Sequence, residues 1–442
     1  MRSNGMMTLA PLRAVRYDAQ KVGALGDVWA PPYDVISPEA AAELRSKHAN
    51  NFVRLTQPEA SGSGRYADAA RTLDSWIADG ILVRDDAPSL YVHRHHFELN
   101  GEQHTRVGVW GLLRLVPYEA GIVLAHERTM KGPKADRLAL MKACRAHLSP
   151  IFFICSDPDG SIGRILGDEM AGAASERAEF PAGQTHELWR VSEPAALDRI
   201  ARSMSEQVYL IADGHHRYET ALAYREALLS EGAPAAGQGG GGGGGEGGGG
   251  HHYILAYVVP EGDRGLSLEP THRVMSGDGH TDWRGAIAAM EDDFRVQKLG
   301  GGAVGDAMAL LEDRAGRASF VLVVRGEEGG WLLEPKESVT DIPAVALHEM
   351  FLAKLPGWSD AQSEGEGWGR VSYTRDPAEA LEDVRSGAAQ AAALLASSTV
   401  GQIREAARAG QRLPTKTTYF RPKVPTGIAI HRIDPGEEIG TG

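Results

Sequence analysis

Residues 211–219 read Ile-Ala-Asp-Gly-His-His-Arg-Tyr-Glu, and this stretch indicates both a local fold and a chemistry. The apolar run Val208 to Ala212 predicts a short buried strand, and a helix pattern extends from about His216 to Leu229. A strand, a turn glycine and a helix start bring first-turn amides and the positive end of the helix dipole together. Five residues then form a predicted anion site: Asp213, Gly214, His215, His216 and Arg217. The alternative is that Asp213 only caps the helix and the histidines are surface residues.

Composition narrows the class of protein. The chain has 442 residues, 42% apolar and 24% charged, which is typical of a globular protein with two or three packed lobes. It carries 46 Lys and Arg against 59 Asp and Glu, a formal charge of -13. A general binder of nucleic acid or anionic membrane would carry the opposite sign, so neither partner is expected. A local basic pocket for a small phosphate remains compatible with this charge.

The cysteine content and the lengths of the apolar segments predict the cellular compartment. Cys144 and Cys155 are too few for a disulfide framework and have no zinc or redox spacing, so we expect two buried thiols. The first twenty residues lack the apolar core of a signal peptide. No window approaches the roughly 20 apolar residues of a membrane span. The expected location is the cytoplasm.

Strand and helix patterns alternate along the rest of the chain, which predicts a mixed α/β (α+β) fold. Asn100-Gly101 between two strand patterns, Leu90 to Leu99 and Thr105 to Val116, indicates a hairpin. Further strands are predicted at 151–155, 253–259, 319–324, 371–374, 391–395 and 427–433. Further helices are predicted from Ser37-Pro38 and at 65–79, 134–147, 282–294, 304–313, 344–355 and 399–409.

One segment, Gly237 to Gly250, has low complexity. Twelve of its fourteen residues are glycine, the exceptions being Gln238 and Glu246. Ordering such a run costs much entropy and buries little, so it is predicted to be a flexible insertion inside a domain. It lacks the strand-to-helix context of a phosphate-binding glycine loop.

Five separated segments resemble a family of bacterial and archaeal proteins called domain of unknown function 1015. The residues that carry the resemblance are Ala30-Pro-Pro-Tyr-Asp-Val-Ile36, His126-Glu-Arg-Thr129 with Asp136-Arg137, Ile211 to Thr220, Pro270-Thr-His-Arg-Val274, and Pro414 to Lys423. Leu413-Pro414-Thr415 departs mildly from the family's usual Met-Pro-Gln. The resemblance covers residues 8–433 as one multi-lobed unit, and residues 434–442 are expected to form a disordered tail.

The resemblance also implies a function. The Asp-Gly-His-His-Arg segment is similar to the phosphate-gripping motif of the ParB and sulfiredoxin superfamily, which includes nucleotide-binding clamps and kinases of free serine. The implied fold is a ParB/sulfiredoxin-like core elaborated by additional α/β lobes. The implied activity is phosphoryl transfer to free serine or a similar hydroxylated metabolite, with pyrophosphate or a nucleotide as donor. Sulfiredoxin chemistry itself needs a cysteine where this chain has His215.

Phosphoryl transfer needs cations on the transferred group, often Mg²⁺, and a carboxylate that orients the attacking oxygen. Glu127 ranks first as the base because Arg128 and Lys131 beside it favour an ionised carboxylate, and Asp34 in its proline-stiffened turn ranks second. Asp213 is the third catalytic candidate and the candidate Mg²⁺ ligand; no organic cofactor is expected. The remaining predicted donor-binding residues are Arg128, Lys131, Arg137, His272, Arg273, Lys416, Thr417, Thr418 and Lys423.

Several alternatives stay open at this point. The charged candidates could be solvated surface or loop residues, and Tyr33-Asp34 could be a turn with a packed ring. The same pocket could serve a non-catalytic regulator that binds a nucleotide or polyphosphate. A DNA-segregation clamp is disfavoured by the net charge. His93 and His95 lie on one strand face, yet no further zinc-ligand motif accompanies them. The sequence leaves the oligomeric state open.

Overall fold

The structure is a computed structural model that describes residues 9–60, 62, 64–127, 129, 131–235, 248–276, 281–301, 306–337, 340–355 and 370–440. Arg128 lies outside these residues, and the side chain of Lys131 is likewise not described. The described chain is a mixture of α-helices and β-strands in several sheets, which confirms the predicted fold class. None of its helices combines the length and the apolar character that a membrane crossing needs.

Helices of three to sixteen residues run through the described chain. They are α1 Ala19–Val22, α2 Leu25–Val28, α3 Pro38–Lys47, α4 Val53–Thr56, α5 Gly64–Ala78, α6 Lys131–Cys144, α7 Ser161–Glu169, α8 Pro194–Ser203, α9 His215–Ser230, α10 Trp283–Ala289, α11 Ala307–Glu312, α12 Pro343–Val345, α13 Pro377–Ser386 and α14 Val400–Arg408. A π-helical stretch, Ala346–Phe351, follows α12.

Strands alternate with these helices. They are β1 Val15–Tyr17, β2 Leu82–Arg84, β3 Leu90–Leu99, β4 Glu102–Arg114, β5 Val123–Leu124, β6 Ala146–His147, β7 Ile151–Cys155, β8 Glu176–Glu179, β9 Thr185–Val191, β10 Tyr209–Asp213, β11 Gly248–Gly249, β12 Tyr253–Pro260, β13 Ser267–Glu269, β14 His272–Ser276, β15 Phe294–Leu299, β16 Phe320–Val324, β17 Gly330–Pro335, β18 Arg370–Thr374, β19 Ala391–Leu395, β20 Tyr419–Arg421, β21 His431–Arg432 and β22 Glu438–Ile439.

The chain divides into two compact units. Unit 1 comprises residues 1–125, 129–266 and 422–442, and unit 2 comprises residues 126–128 and 267–421. The predicted single multi-lobed region thus consists of two units, each containing its own large sheet.

Unit 1 is built on an eight-stranded sheet with the order β5-β10-β7-β12-β4-β3-β9-β8. The predicted hairpin is present as β3 and β4, and its turn residues Asn100 and Gly101 have φ of 52° and 80°. One face of the sheet packs its apolar residues against α7, α8 and α9 in a single core. The strand β10 is an interior strand because it pairs with β5 on one side and β7 on the other. Its carboxyl end places Asp213 at the start of α9.

The other face of this sheet carries a chain of buried histidines. His93 Nε2 lies 2.9 Å from His186 Nδ1, and Trp110 Nε1 donates to His93 Nδ1 over 3.2 Å. His186 Nε2 lies 2.5 Å from the carbonyl oxygen of Phe180. These contacts use both nitrogens of each ring in the neutral state. The ring nitrogens of His93 and His186 are therefore all engaged in hydrogen bonds. Within the described residues, no group of three or more potential ligands could hold a metal ion.

His95 links these buried histidines, through Arg106, to the C-terminal part of the polypeptide. Its Nε2 lies 2.8 Å from Gln184 Oε1, and its Nδ1 lies 3.4 Å from the guanidinium of the fully buried Arg106. Arg106 also donates to the carbonyl oxygen of Pro422 over 2.8 Å. The histidine face of the sheet thus holds the segment that contains Lys423.

Burial of this histidine chain predicts acid sensitivity. Burial lowers the pKa of His186 to about 4 and also lowers those of His93 and His95, so the unfolded chain binds more protons than the native one below about pH 6.5. The free energy of unfolding should fall by about 1.4 kcal/mol per pH unit for each such imidazole as the pH drops from 6.5 toward 4.

The measurement is urea unfolding at pH 7, 6 and 5, followed by tryptophan fluorescence. His186→Phe should show a pH slope shallower than wild type by about 1.4 kcal/mol per pH unit. His104→Phe, at a partly exposed position of the same hairpin, should retain the wild-type slope. Identical slopes for wild type and His186→Phe would contradict this account.

The end of the glycine run differs from the prediction. Gly248–Gly249 pair with Glu438–Ile439, and Ile439 is buried. A Cβ at Gly249 would lie 2.2 Å from the carbonyl oxygen of Pro435, so this close backbone approach requires glycine. These pairings correct the expectations of a flexible insertion through residue 250 and a disordered tail from residue 434. Residues 237–247 lie outside the described residues.

Unit 2 contains a six-stranded antiparallel sheet with the order β15-β17-β16-β19-β14-β18. Alternate residues of β16 face opposite sides, with Phe320 and Leu322 in one core and Val321 and Val323 in the other. The helix α10 packs on the first side, and α11 and α13 pack on the second. The predicted strand at 427–433, by contrast, belongs to unit 1 and is reduced to β21.

Candidate functional site

The turn between β10 and α9 has the geometry that the sequence predicts. Residues 209–212 are buried, Asp213 ends the strand, and α9 begins at His215. Gly214 occupies the N-cap position with φ of 105°, and it offers no side chain that could hydrogen-bond the first-turn amides. A Cβ there would lie 2.9 Å from Ile151 Cδ1 and 3.1 Å from Arg217 Cζ. Both the backbone conformation and the space around it therefore require glycine.

Two cations converge on Asp213. Arg217 donates to one carboxylate oxygen and Lys423 to the other, and the three side chains are each only 12–14% exposed. Burial acts to raise the pKa of Asp213, but Lys423, Arg217 and His215 outweigh it and lower that pKa to about 2. The group is therefore one carboxylate and two cations at a helix N-terminus, and this positive excess favours an anion.

Arg217 is held in one orientation. Besides the ion pair with Asp213, it donates to the backbone carbonyl of Pro150, the residue before β7. The guanidinium is thus held beside the Gly214 turn by one charged and one neutral acceptor. His215 is buried at the helix start, and His216 is partly buried with its carbonyl accepting from Thr220.

The Ala30–Ile36 segment belongs to the same unit and is tied to it by Thr426. The backbones of Ala30 and Thr426 exchange hydrogen bonds of 3.2 and 2.7 Å. Lys423 and Thr426 lie on one short segment, which links Asp213 to the Pro-Pro-Tyr-Asp turn. Asp34 itself is exposed, and within the described residues it makes no ion pair.

Tyr33 connects this turn to α6. The Arg137 guanidinium lies 4.1 Å above the Tyr33 ring. Burial raises the pKa of Tyr33, while the charges of Arg217 and Arg137 lower it. Tyr33 and Arg217 also line one small cavity, so the residue before Asp34 lies near the Gly214 turn.

Asp136 anchors Arg137 from the neighbouring position. Its carboxylate pairs with Arg137 and with Arg65, and the Tyr66 hydroxyl donates to it over 2.8 Å. Arg137 also donates to the carbonyl of Thr56 over 3.1 Å. The sequence predicted a helix at 65–79 but not these contacts with Asp136, because they join α5 to α6 across 71 residues from Arg65 and 70 from Tyr66.

A second group of predicted site residues, which includes Glu127, Thr417 and Thr418, lies in unit 2. His126 Nε2 lies 2.8 Å from the Thr418 hydroxyl, which donates to Glu127 over 3.3 Å. The backbones of Glu127 and Leu413 form an isolated parallel β-bridge. The Thr417 hydroxyl donates to the carbonyl of Pro414 over 2.6 Å. Its side-chain contacts therefore join two sequence segments across 291 and 292 residues.

Arg273 organises the loop of this second group. It is fully buried and donates to the carbonyls of Thr271, Thr415 and Lys416, with its Nε 3.3 Å from His348 Nε2. Burial lowers the pKa of Arg273 to about 10. In this arrangement its donors hold the Thr415–Lys416 turn, where Lys416 has φ of 58°.

His272 takes part in the same packing, because its Nδ1 accepts from the Leu395 amide over 3.2 Å. Burial lowers the pKa of His272 to about 4. His272 and Arg273 both lie in β14 of the unit 2 sheet. Their contact with a phosphoryl donor remains a prediction.

The fit of Asp213 to Mg²⁺ is poor as the side chain is arranged. Both carboxylate oxygens accept from cations, and the described residues contain no group of three His, Cys, Asp or Glu that could hold a metal. Lys423 and Arg217 occupy the sites where a metal would bind.

Comparison with known proteins gives a family and a set of distant structures. A family model described as "Protein of unknown function (DUF1015)" matches residues 9–353. Among solved structures, a free serine kinase variant in complex with AMP is 12% identical with a TM-score of 0.37, covering 75% of this chain and 91% of that one. A conserved hypothetical protein from Pyrococcus furiosus is 14% identical with a TM-score of 0.34, covering 72% and 93%.

A third structure, SbnI with a C-terminal truncation from Staphylococcus aureus, is 9% identical with a TM-score of 0.36, covering 73% of this chain and 87% of that one. No curated protein matches the chain. At these identities and TM-scores, the likeness describes neither the activity nor the ligands of this chain.

Proposed function

The chain belongs to the DUF1015 family, and from the geometry of its Gly214 turn we propose that it is a small-molecule phosphotransferase. The observation that carries this proposal is the convergence of Arg217 and Lys423 on the single carboxylate Asp213 at the start of α9. A phosphoryl donor such as pyrophosphate or a nucleotide would place its phosphates at this positive turn. The acceptor would be a hydroxylated metabolite, with free serine as one candidate.

The proposed step uses residues of unit 1. The acceptor oxygen attacks the terminal phosphorus, the bond to the leaving phosphate breaks, and the hydroxyl proton passes to a carboxylate base. Asp34 suits this role because it is exposed and follows Tyr33, which lies within the electrostatic reach of Arg217 and Asp213. Asp213 is committed to two cations, and we assign it to hold Arg217 and Lys423 in position. Glu127 remains the candidate base of unit 2.

The direct test is phosphorus NMR on purified protein with serine, Mg²⁺ and a panel of donors, namely pyrophosphate, ATP and ADP. Turnover of any donor that requires the acceptor supports the phosphotransferase. Donor binding without turnover across a wider panel of hydroxylated acceptors would favour the regulator instead. Absence of both binding and turnover would contradict a phosphate site at Gly214.

Arg217 supplies the sharpest binding prediction. Arg217→Ala should weaken pyrophosphate binding roughly 10- to 100-fold, because a charge-assisted hydrogen bond contributes about 1.5–3 kcal/mol. Arg217→Lys should recover part of this loss by restoring the charge without the fork. Isothermal titration calorimetry measures the affinity, and circular dichroism checks the fold.

The matched control is Arg202→Ala, at a position 78% exposed and paired only with Asp198 among the described residues. It should bind pyrophosphate as wild type does. Wild-type affinity in Arg217→Ala would remove this residue from the site.

A further inference from the structure

A large polar cavity adjoins the Gly214 site within unit 1. Its volume is about 560 Å³, within the range of small-molecule sites. A smaller cavity of about 40 Å³ reaches Arg217. The two cavities share a wall of four residues: Tyr33, Thr56, Arg137 and Leu140. This shared wall and the small cavity therefore lie between the large cavity and Arg217.

The charges that line this cavity leave a positive excess. Three guanidiniums, of Arg45, Arg65 and Arg137, face two carboxylates. Asp136 is shared by Arg65 and Arg137, so one negative charge serves two positive ones. An organic anion in the cavity would supply the missing charge.

Arg45 is the cation with the weakest counter-ion. Its Nε lies 3.3 Å from Glu59 Oε1, and the Glu59 side chain is 68% exposed, so water screens this pair. The same Nε is buried and makes no hydrogen bond within the described part of the chain. A buried donor without an acceptor is costly, and a ligand oxygen that displaced Glu59 could satisfy it.

We propose that the cavity lined by Arg45, Arg65 and Arg137 binds the anionic end, a carboxylate or a phosphate, of a small organic ligand. The assignment of that ligand as the acceptor rests on the proposed phosphotransferase function. In that role, the anion lies against Arg45 and Arg65, and the hydroxyl extends past Tyr33 toward Asp34. The acceptor is then an acidic hydroxylated metabolite, and a neutral polyol of the same size is excluded.

Three probes of one carbon skeleton test this proposal. Calorimetric titration with glycerate, glycerol 3-phosphate and glycerol should give binding for at least one anion and none for glycerol. Binding of glycerate alone identifies a carboxylate site, and binding of glycerol 3-phosphate alone identifies a phosphate site. Arg65→Met should weaken that binding roughly 10- to 100-fold, and Arg45→Met is the second variant if the first fails to fold. Arg71→Met, on the same helix and 71% exposed, should bind as wild type does.

Pyrophosphate binding separates this inference from the proposed function. The Arg65 and Arg45 variants should bind pyrophosphate normally, and Arg217→Ala should lose that affinity. If pyrophosphate binds through Arg217 but neither anion binds, or if binding survives both cavity variants, the cavity proposal is overturned and the phosphate site stands. If the anion binds through Arg65 while none of pyrophosphate, ATP and ADP binds, the cavity proposal stands and the phosphotransferase fails.

Discussion

Asp34→Asn should lower kcat by roughly 10²–10⁴-fold while donor affinity is retained. The asparagine keeps the size of the side chain and removes the group that would accept the hydroxyl proton. Asp34 is exposed at the turn that Thr426 ties to the Lys423 segment, so the substitution disturbs no ion pair among the described residues. Steady-state turnover followed by phosphorus NMR and donor affinity from calorimetry separate chemistry from binding.

Two other carboxylates belong in the same experiment. Glu127→Gln tests the base that the sequence ranked first, and Asp213→Asn tests the residue that holds Arg217 and Lys423. Glu43→Gln, an exposed acid on α3, is the matched control and should turn over as wild type does. Loss in Glu127→Gln alone would move the base to unit 2. Full turnover in all three site variants would exclude the proposed mechanism.

Asp213→Ala should have the largest effect on stability. It leaves Arg217 and Lys423 buried without their shared carboxylate, and breaking a buried ion pair in this way costs about 3–5 kcal/mol. Because the pKa of Asp213 is lowered to about 2, its contribution is complete above about pH 4 and is lost only as the pH falls toward 2. Urea unfolding at pH 7 therefore measures the full effect.

A double substitution shows whether the uncompensated charge is the cause. Asp213→Ala with Lys423→Met removes one of the two stranded cations, so it should unfold with a higher free energy than Asp213→Ala alone. Asp198→Ala, which breaks an exposed pair with Arg202, should change stability little. Wild-type stability in Asp213→Ala would contradict the central place given to this carboxylate.

Local sequence signals predicted well the elements whose geometry depends on neighbouring residues. The Asn100-Gly101 turn supplies two residues that tolerate positive φ, and the hairpin follows directly. Gly214 likewise marks the boundary between β10 and α9. Helical periodicity at 344–355 predicted a helix but not its hydrogen-bond pattern, which changes from α to π at Ala346. Periodicity reports which face is apolar, and it does not distinguish these patterns.

The sequence by itself determined the mixed α/β class and the strand-glycine-helix turn at Gly214, because strand, glycine and helix signals act within about ten residues. Only the tertiary structure decided which distant groups meet there. Lys423 reaches Asp213 across 210 residues, while Lys416–Thr418, a few positions earlier, belong to unit 2. The tertiary structure also decided that Gly248–Gly249 pair with Glu438–Ile439. Such pairings depend on backbone hydrogen bonds and buried charges between remote segments, which have no periodic signature in either segment alone.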